Sequence, residues 1–116
     1  MTRRDQRLLL RRVLQTYTKT VDLEGALLLK GETELAATVA SRANALRREV
    51  DRLRRAMWSR WSGSAARVDE ALRARNARLQ ATIRDIERDV RTADRVVRAV
   101  AIVAEVLTLT RKLGVS

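Results

Sequence analysis

The strongest pattern in the sequence is a repeat of apolar residues in its C-terminal half. One row of apolar residues recurs every seven positions, and a second row is interleaved with it at spacings of three and four. This spacing is typical of a coiled-coil seam along one continuous helix. It predicts a helix C over residues 64–112, to within about 2 to 4 residues at each end. The first row is Leu72, Leu79, Ile86, Ala93, Val100 and Leu107, and the second is Ile83, Val90, Val97 and Ala104.

Asn76 falls on the second row, where the other positions are apolar. A buried amide at this position would cost stability but would fix the register of the helix against a partner amide. The alternative is that Asn76 lies in water near the end of the seam, where helices fray. We favour the exposed position.

Two further helices precede helix C, and glycines mark their ends because the chain has no proline. Helix A is predicted over residues 3–29 and helix B over residues 33–61, with Gly31 between them. Helix B has the same two-row pattern as helix C. The two should therefore pair as an antiparallel hairpin through a turn at residues 62–64, with Ser64 capping helix C. The rows of helix B are Val39, Leu46 and Leu53, and Ala36, Ala43, Val50 and Met57; helix A offers Leu10, Val13, Leu14, Tyr17, Val21 and Leu28.

The predicted fold class is therefore all-α, a long coiled-coil-like antiparallel hairpin with an additional N-terminal helix, three helices in total. Helix C is the longest, and at about 1.5 Å per residue it would exceed 70 Å, against roughly 43 Å for helix B. Its last part, residues 96–109, would extend past helix B and is apolar nearly all round. A helix of this kind is buried on more than one side. Helix A could cover this overhang, or it could fold back beside helix B and leave the overhang for another subunit.

We therefore predict that the overhang binds a protein, either a second copy in a homo-oligomer or a helical hetero-partner. Burial of each large apolar side chain contributes roughly 1.5 to 3 kcal/mol, so the overhang is too apolar to be left in water. The leading functional hypothesis is a non-enzymatic helical interaction or assembly module. Its partner interface would comprise Val97, Val100, Ile102, Val103, Val106, Leu107 and Leu109.

The composition indicates one helical domain over residues 1–116 and argues against catalysis. Hydrophobic residues make up 46% of the chain, and it contains no Cys, His, Pro or Phe. Without Cys and His it lacks thiol and imidazole nucleophiles and the usual zinc ligands. The carboxylates of helix C are flanked by arginines, which repel a cation and keep the carboxylates ionised. We expect no enzyme activity, no cofactor, no metal site and no small-molecule substrate.

The chain is strongly basic, with 25 Lys and Arg residues against 14 Asp and Glu and a net charge of +11. Two arginine stripes at helical spacing could contact the phosphates of nucleic acid, which is the second functional hypothesis. A third is peripheral membrane association through the overhang with Arg111 and Lys112. The alternative, which we favour, is that the stripes are solvated helix faces, because many arginines have acids within reach. The stripes are Arg4, Arg7 and Arg11 in helix A, and Arg48, Arg52 and Arg55 in helix B.

The spacing of charges also argues against a membrane span and a cleaved signal. The longest uncharged stretch is residues 35–41, whereas a spanning helix needs about 20 apolar residues. The apolar run that follows the first arginines is residues 8–10, shorter than the roughly 7 to 15 residues of an export signal. We expect a cytoplasmic protein, or one exported without a cleavable signal.

The predicted turn between helices B and C has the sequence Trp61-Ser62-Gly63-Ser64-Ala65-Ala66. In its central position between two amphipathic helices, it resembles the Trp-x-Gly turn of the WXG100 (ESAT-6-like) proteins. The resemblance implies that Trp61 packs at the hairpin tip and that Gly63 permits the tight turn. It also implies a small non-enzymatic helical hairpin that dimerises and is exported by a type VII system. The chain departs from that family in its basic charge, its extra N-terminal helix, Val68 in place of the usual aromatic, and a missing Tyr-x-x-x-Asp/Glu motif.

Overall fold

A computed structural model describes residues 2–56, 61, 63–88 and 92–114 of the chain. Within these residues it is all-α, as predicted, and contains four helices. They are α1 (Arg3–Leu29), α2 (Thr33–Arg55), α3 (Ala65–Glu87) and α4 (Thr92–Arg111). Helix A corresponds to α1, and helix B corresponds to α2, which ends earlier than predicted. The prediction of three helices is wrong, because helix C is two helices that pack against one another.

The predicted helix C is interrupted at a segment of the sequence with few apolar side chains. Residues 87–91 read Glu-Arg-Asp-Val-Arg, in which four of five are charged. α3 ends at Glu87, and the main-chain N–H of Arg88 still bonds back into its last turn. α4 then returns alongside α3, so that its extensive apolar surface is covered by other helices of the same chain. Val90, a predicted seam position, lies outside the described residues.

The helices form a bundle of two hairpins packed side by side, with overall dimensions of 45 × 22 × 18 Å. α1 pairs with α2, α3 pairs with α4, and the hairpins meet with α3 against α1 and α4 against α2. The contact between α2 and α4 is parallel. Near the end of both helices, Arg52 donates to the carbonyl oxygens of Thr110 and Leu113 at 2.6 and 3.2 Å. α2 and α3 lie diagonally across the bundle, so the predicted hairpin between helices B and C is wrong.

The core consists of one face from each helix. In α2 the described residues of both predicted rows are buried, which confirms the pattern there; Met57 lies outside the described residues. In α4 the buried face is rotated from the predicted rows, because the seven-residue repeat does not stay in phase across the turn after α3. Val96, Ala99 and Val103 are buried, whereas Val97 is 69% exposed. The principal core residues are Leu9, Val13, Leu23, Leu27, Val39, Leu46, Val50, Leu53, Leu72, Leu79, Ile83, Ile86, Ile102, Val103, Val106 and Leu107.

Asn76 lies buried between α1 and α3, with 5% of its surface exposed. Its Oδ1 accepts a 2.5 Å hydrogen bond from the Thr16 hydroxyl, and its Nδ2 donates to the carbonyl oxygen of Arg12 at 3.1 Å. The favoured interpretation of Asn76 as a water-exposed residue is therefore wrong. The amide is inside the bundle, and its partners are a threonine and a main-chain carbonyl rather than a second amide.

Two further polar contacts lie along the same interface, one on either side of Asn76. Arg12 Nε donates to Asp69 Oδ1 at 2.7 Å, and Lys19 Nζ donates to Gln80 Oε1 at 2.7 Å. The partners advance together along both helices, so α1 and α3 run parallel. These contacts form a polar seam between the two hairpins. It consists of Arg12, Thr16 and Lys19 from α1 and Asp69, Asn76 and Gln80 from α3.

Replacing Asn76 with alanine tests the polar seam. Asn76→Ala removes both hydrogen bonds of the amide from a buried interface, and we expect the free energy of unfolding in urea to fall by about 1 to 3 kcal/mol. The control is Asn44→Ala on the exposed face of α2, which should change stability by less than about 0.5 kcal/mol. Equal losses in the two variants would contradict a structural role for the buried amide.

Two glycines in the first hairpin have opposite conformational requirements. Gly31 follows α1 with φ +77°, in the left-handed region that favours glycine. Its main-chain N–H donates to the carbonyl oxygen of Leu28 at 3.0 Å and helps to close the turn. Gly25 lies inside α1, and a Cβ at that position would have no heavy atom within 4 Å. Glycine is therefore needed at position 31 and is unfavourable at position 25.

We expect substitutions of these two glycines to change stability in opposite directions. Gly25→Ala should raise the free energy of unfolding by about 0.5 to 1 kcal/mol, because alanine favours the helix and meets no steric conflict. Gly31→Ala should lower it by about 1 to 2 kcal/mol, because of the left-handed backbone. Thermal and urea denaturation of both variants measures the pair. A stabilising Gly31→Ala would show that the turn adopts another conformation.

Candidate interaction surfaces

The overhang predicted as a partner interface belongs largely to the core of the chain itself. The prediction assumes a helix C that extends past its neighbours, and the reversal before α4 removes that overhang. The apolar surface on which the membrane hypothesis depends is buried with it. Ile102, Val103, Val106 and Leu107 are buried, Val100 and Leu109 are partly buried against the same core, and Val97 is exposed.

No helix in the described part of the chain is long and apolar enough to cross a membrane.

A different apolar row is exposed, on the outer side of α1. Leu14, Val21 and Leu28 recur every seven residues and are 37%, 39% and 52% exposed. Leu10 and Tyr17 continue the row at spacings of four and three, and both are partly buried against the core. The row follows one side of α1 over about four turns. We call Leu14, Val21 and Leu28 the α1 stripe.

The residues of the α1 stripe belong to the apolar set predicted for helix A, but the sequence does not mark them as a separate surface. A buried row of α1 has the same seven-residue spacing and is displaced from the stripe by one position. Val13 is fully buried, for example, whereas the adjacent Leu14 is exposed. Spacing alone does not tell which row faces the core. The available signal is the width of the apolar face, since two adjacent rows cover more of a helix than one core contact needs.

Charge changes sign along the hairpin that carries the α1 stripe. Its open end, where α1 begins, has the exposed arginines Arg4, Arg7 and Arg11. Toward the other end of the hairpin, four acids lie within residues 22–34, in the last turns of α1 and at the start of α2. The stripe therefore runs from a basic region to a mainly acidic one. The acids are Asp22, Glu24, Glu32 and Glu34.

The predicted arginine stripes are close together in space, apart from one member. Arg52 is partly buried at the bundle end, where it pairs with Glu49 at 3.0 Å and donates to carbonyl oxygens at the end of α4, so its donors are largely occupied. The other five are exposed in the same half of the bundle, because the start of α1 and the end of α2 are adjacent in an antiparallel hairpin. They are Arg4, Arg7, Arg11, Arg48 and Arg55.

The fold brings further cations from other segments of the sequence to the same end as these stripes. α3 begins and α4 ends at the same end of the bundle, which brings further exposed basic side chains there. Within the described residues, none of the exposed cations at this end forms an ion pair. We call the following set, which does not count Arg48, the basic end: Arg3, Arg4, Arg7, Arg11, Arg54, Arg55, Arg67, Arg111 and Lys112.

Several acids near the basic end already have partners. Asp5 caps α1 by accepting from the main-chain N–H of Thr2 at 3.3 Å, and Asp69 is bound by Arg12 in the polar seam. Asp51 and Glu70 are exposed. At the opposite end of the bundle, acids and bases are more nearly balanced, so the positive charge of the described chain is concentrated at one end.

The turn residues Trp61 and Gly63 contact each other. A Cβ at Gly63 would collide with the six-membered ring of the Trp61 indole, which occupies the space that any other side chain would need. Trp61 is partly buried against the core. Ser62 lies outside the described residues. The glycine thus permits close packing of the indole, although α2 and α3 do not pair as the WXG100 resemblance implies.

The described residues offer no grouping of three His, Cys, Asp or Glu side chains that could hold a metal ion. Asp85, one of the carboxylates of helix C, is paired with Arg95 of α4 at 3.5 Å. Comparison of the chain with protein-family models, curated proteins and solved structures found no match.

Proposed function

We propose that this chain is a non-enzymatic helical assembly module that pairs with a second copy of itself through the α1 stripe. The observation that carries the proposal is the exposure of Leu14, Val21 and Leu28 at heptad spacing. A helix with apolar residues at this spacing buries them efficiently against a second helix. The surface differs from the overhang expected from the sequence, but the class of function is the same.

The charges beside the stripe favour a second copy in the antiparallel orientation. In a parallel pair the arginines at the start of α1 would face one another, and so would the acids near its end. In an antiparallel pair centred on Val21, Leu14 of one copy lies opposite Leu28 of the other. The arginines near the start of α1 then come close to the acids that begin α2 in the other copy. Such complementary charges set the orientation and the specificity of an interface.

The resemblance to WXG100 proteins supports the same class of function, because it implies small non-enzymatic helical proteins that dimerise. The feature that supports the resemblance is the packing of Trp61 on Gly63. Secretion by a type VII system is a narrower form of the proposal. The diagonal position of α2 and α3 speaks against the hairpin arrangement of that family.

The proposal predicts a dimer that Val21→Glu dissociates. In light-scattering chromatography, the unmodified chain should have twice its mass of 13.2 kDa. Val21→Glu removes burial worth roughly 1 kcal/mol from each copy, since part of Val21 is already covered, and places two carboxylates at the centre of the interface. We expect the dissociation constant to rise by about 30-fold or more.

The matched control is Val97→Glu, which makes the same substitution at an exposed valine on α4. α4 lies diagonally opposite α1, so this variant should remain a dimer. A monomeric unmodified chain at micromolar concentration would overturn the proposal. Equal dissociation of both variants would place the interface elsewhere.

A further inference from the structure

We infer that the basic end binds nucleic acid through the phosphate backbone, without reading the base sequence. All four helices contribute to this surface, although its residues are far apart in the chain. Its side chains are exposed and form no ion pair with a described residue. Eight of the nine are arginines, whose planar guanidinium groups bind phosphate oxygens in a bidentate manner.

Helix stability does not account for the position of several of these cations. The N-terminus of a helix carries partial positive charge and favours acids over bases. Arg3, Arg4 and Arg7 nevertheless lie in the first two turns of α1, and Arg67 lies in the first turn of α3. Because these side chains are also exposed, they contribute little to packing. A negatively charged ligand would compensate for their placement.

The size of the basic end is suited to a nucleic acid. The bundle measures 22 × 18 Å across its shorter axes. Double-stranded DNA carries one negative charge per about 1.7 Å of its axis, so a segment of this width presents about a dozen phosphates. Nine cations over the same width are enough to neutralise several of them at once.

The distribution of apolar residues favours nucleic acid over a membrane surface. Helices that lie on membranes combine cations with exposed apolar side chains that enter the lipid. The large exposed apolar residues of the described chain lie in the middle of α1 or toward the other end of the bundle. They are Leu14, Val21, Leu28, Leu29 and Val97. At the basic end itself, Leu113 is fully buried.

The salt dependence of binding tests this inference. The probes are a labelled DNA duplex of about 20 base pairs and the corresponding single strand, followed by fluorescence anisotropy. If about five of the nine cations contact phosphates, the association constant for the duplex should fall roughly 500-fold between 50 and 200 mM salt. Duplexes of different sequence should bind alike.

Two triple variants separate the basic end from the overall charge. The first is Arg7→Gln, Arg54→Gln and Arg111→Gln, which removes one cation each from α1, α2 and α4. It should weaken binding and reduce the salt slope by up to about 2.7, the value reached when all three arginines contact phosphates. The control is Arg84→Gln, Arg88→Gln and Arg98→Gln, which removes three exposed arginines outside the basic end. It should retain most of the affinity, and circular dichroism should show that both variants stay helical.

Three results would overturn the inference. The first is an absence of binding to either probe at 50 mM salt. The second is an equal loss of affinity in the two triple variants, which would show that net charge alone is responsible. The third is binding to phosphatidylcholine vesicles that contain phosphatidylglycerol, without binding to DNA, which would identify the surface as a membrane contact.

Discussion

The hydrogen bonds of Asn76 fix how the two helical hairpins fit together. Apolar contacts between α2 and α4 are tolerant of sliding, because one aliphatic side chain can replace another as a neighbour. The amide of Asn76 requires one register, since a shift along α1 would separate its Oδ1 from the Thr16 hydroxyl and its Nδ2 from the Arg12 carbonyl. A single register satisfies both polar atoms of the buried amide. In that register, the four helix ends that form the basic end lie at the same height along the bundle axis.

The return of α4 explains why the exposed apolar surface is not where the apolar content of the chain is highest. α4 is the most apolar of the helices, and the chain uses it to complete its own core. The exposed apolar surface is then found on α1, whose two rows exceed what the core contact can bury. An apolar segment in a sequence thus identifies a need for burial, and the fold decides whether the same chain or a partner meets it.

The sequence is sufficient to predict helix A and the starts of helices B and C because local signals mark them. Gly31 ends the first helix, Ser64 caps the third, and the described rows of α2 are buried as expected. The break in helix C could not be predicted in this way, because Ile86 and Ala93 keep the seven-residue spacing across it. The partners of Asn76 depend on the placement of α1 beside α3, which no local pattern specifies.

The charge distribution follows the same logic, because antiparallel helices bring distant segments to one end. In the sequence the arginines at positions 7, 54, 67 and 111 belong to four separate regions, and each region also contains acids. In the bundle the cations collect while several of the acids are used in caps and ion pairs. Mutual repulsion among such cations disfavours the compact state, so a bound polyanion would stabilise the fold. An antiparallel pair through α1 would hold two basic ends at opposite extremities, where each remains accessible to its own ligand.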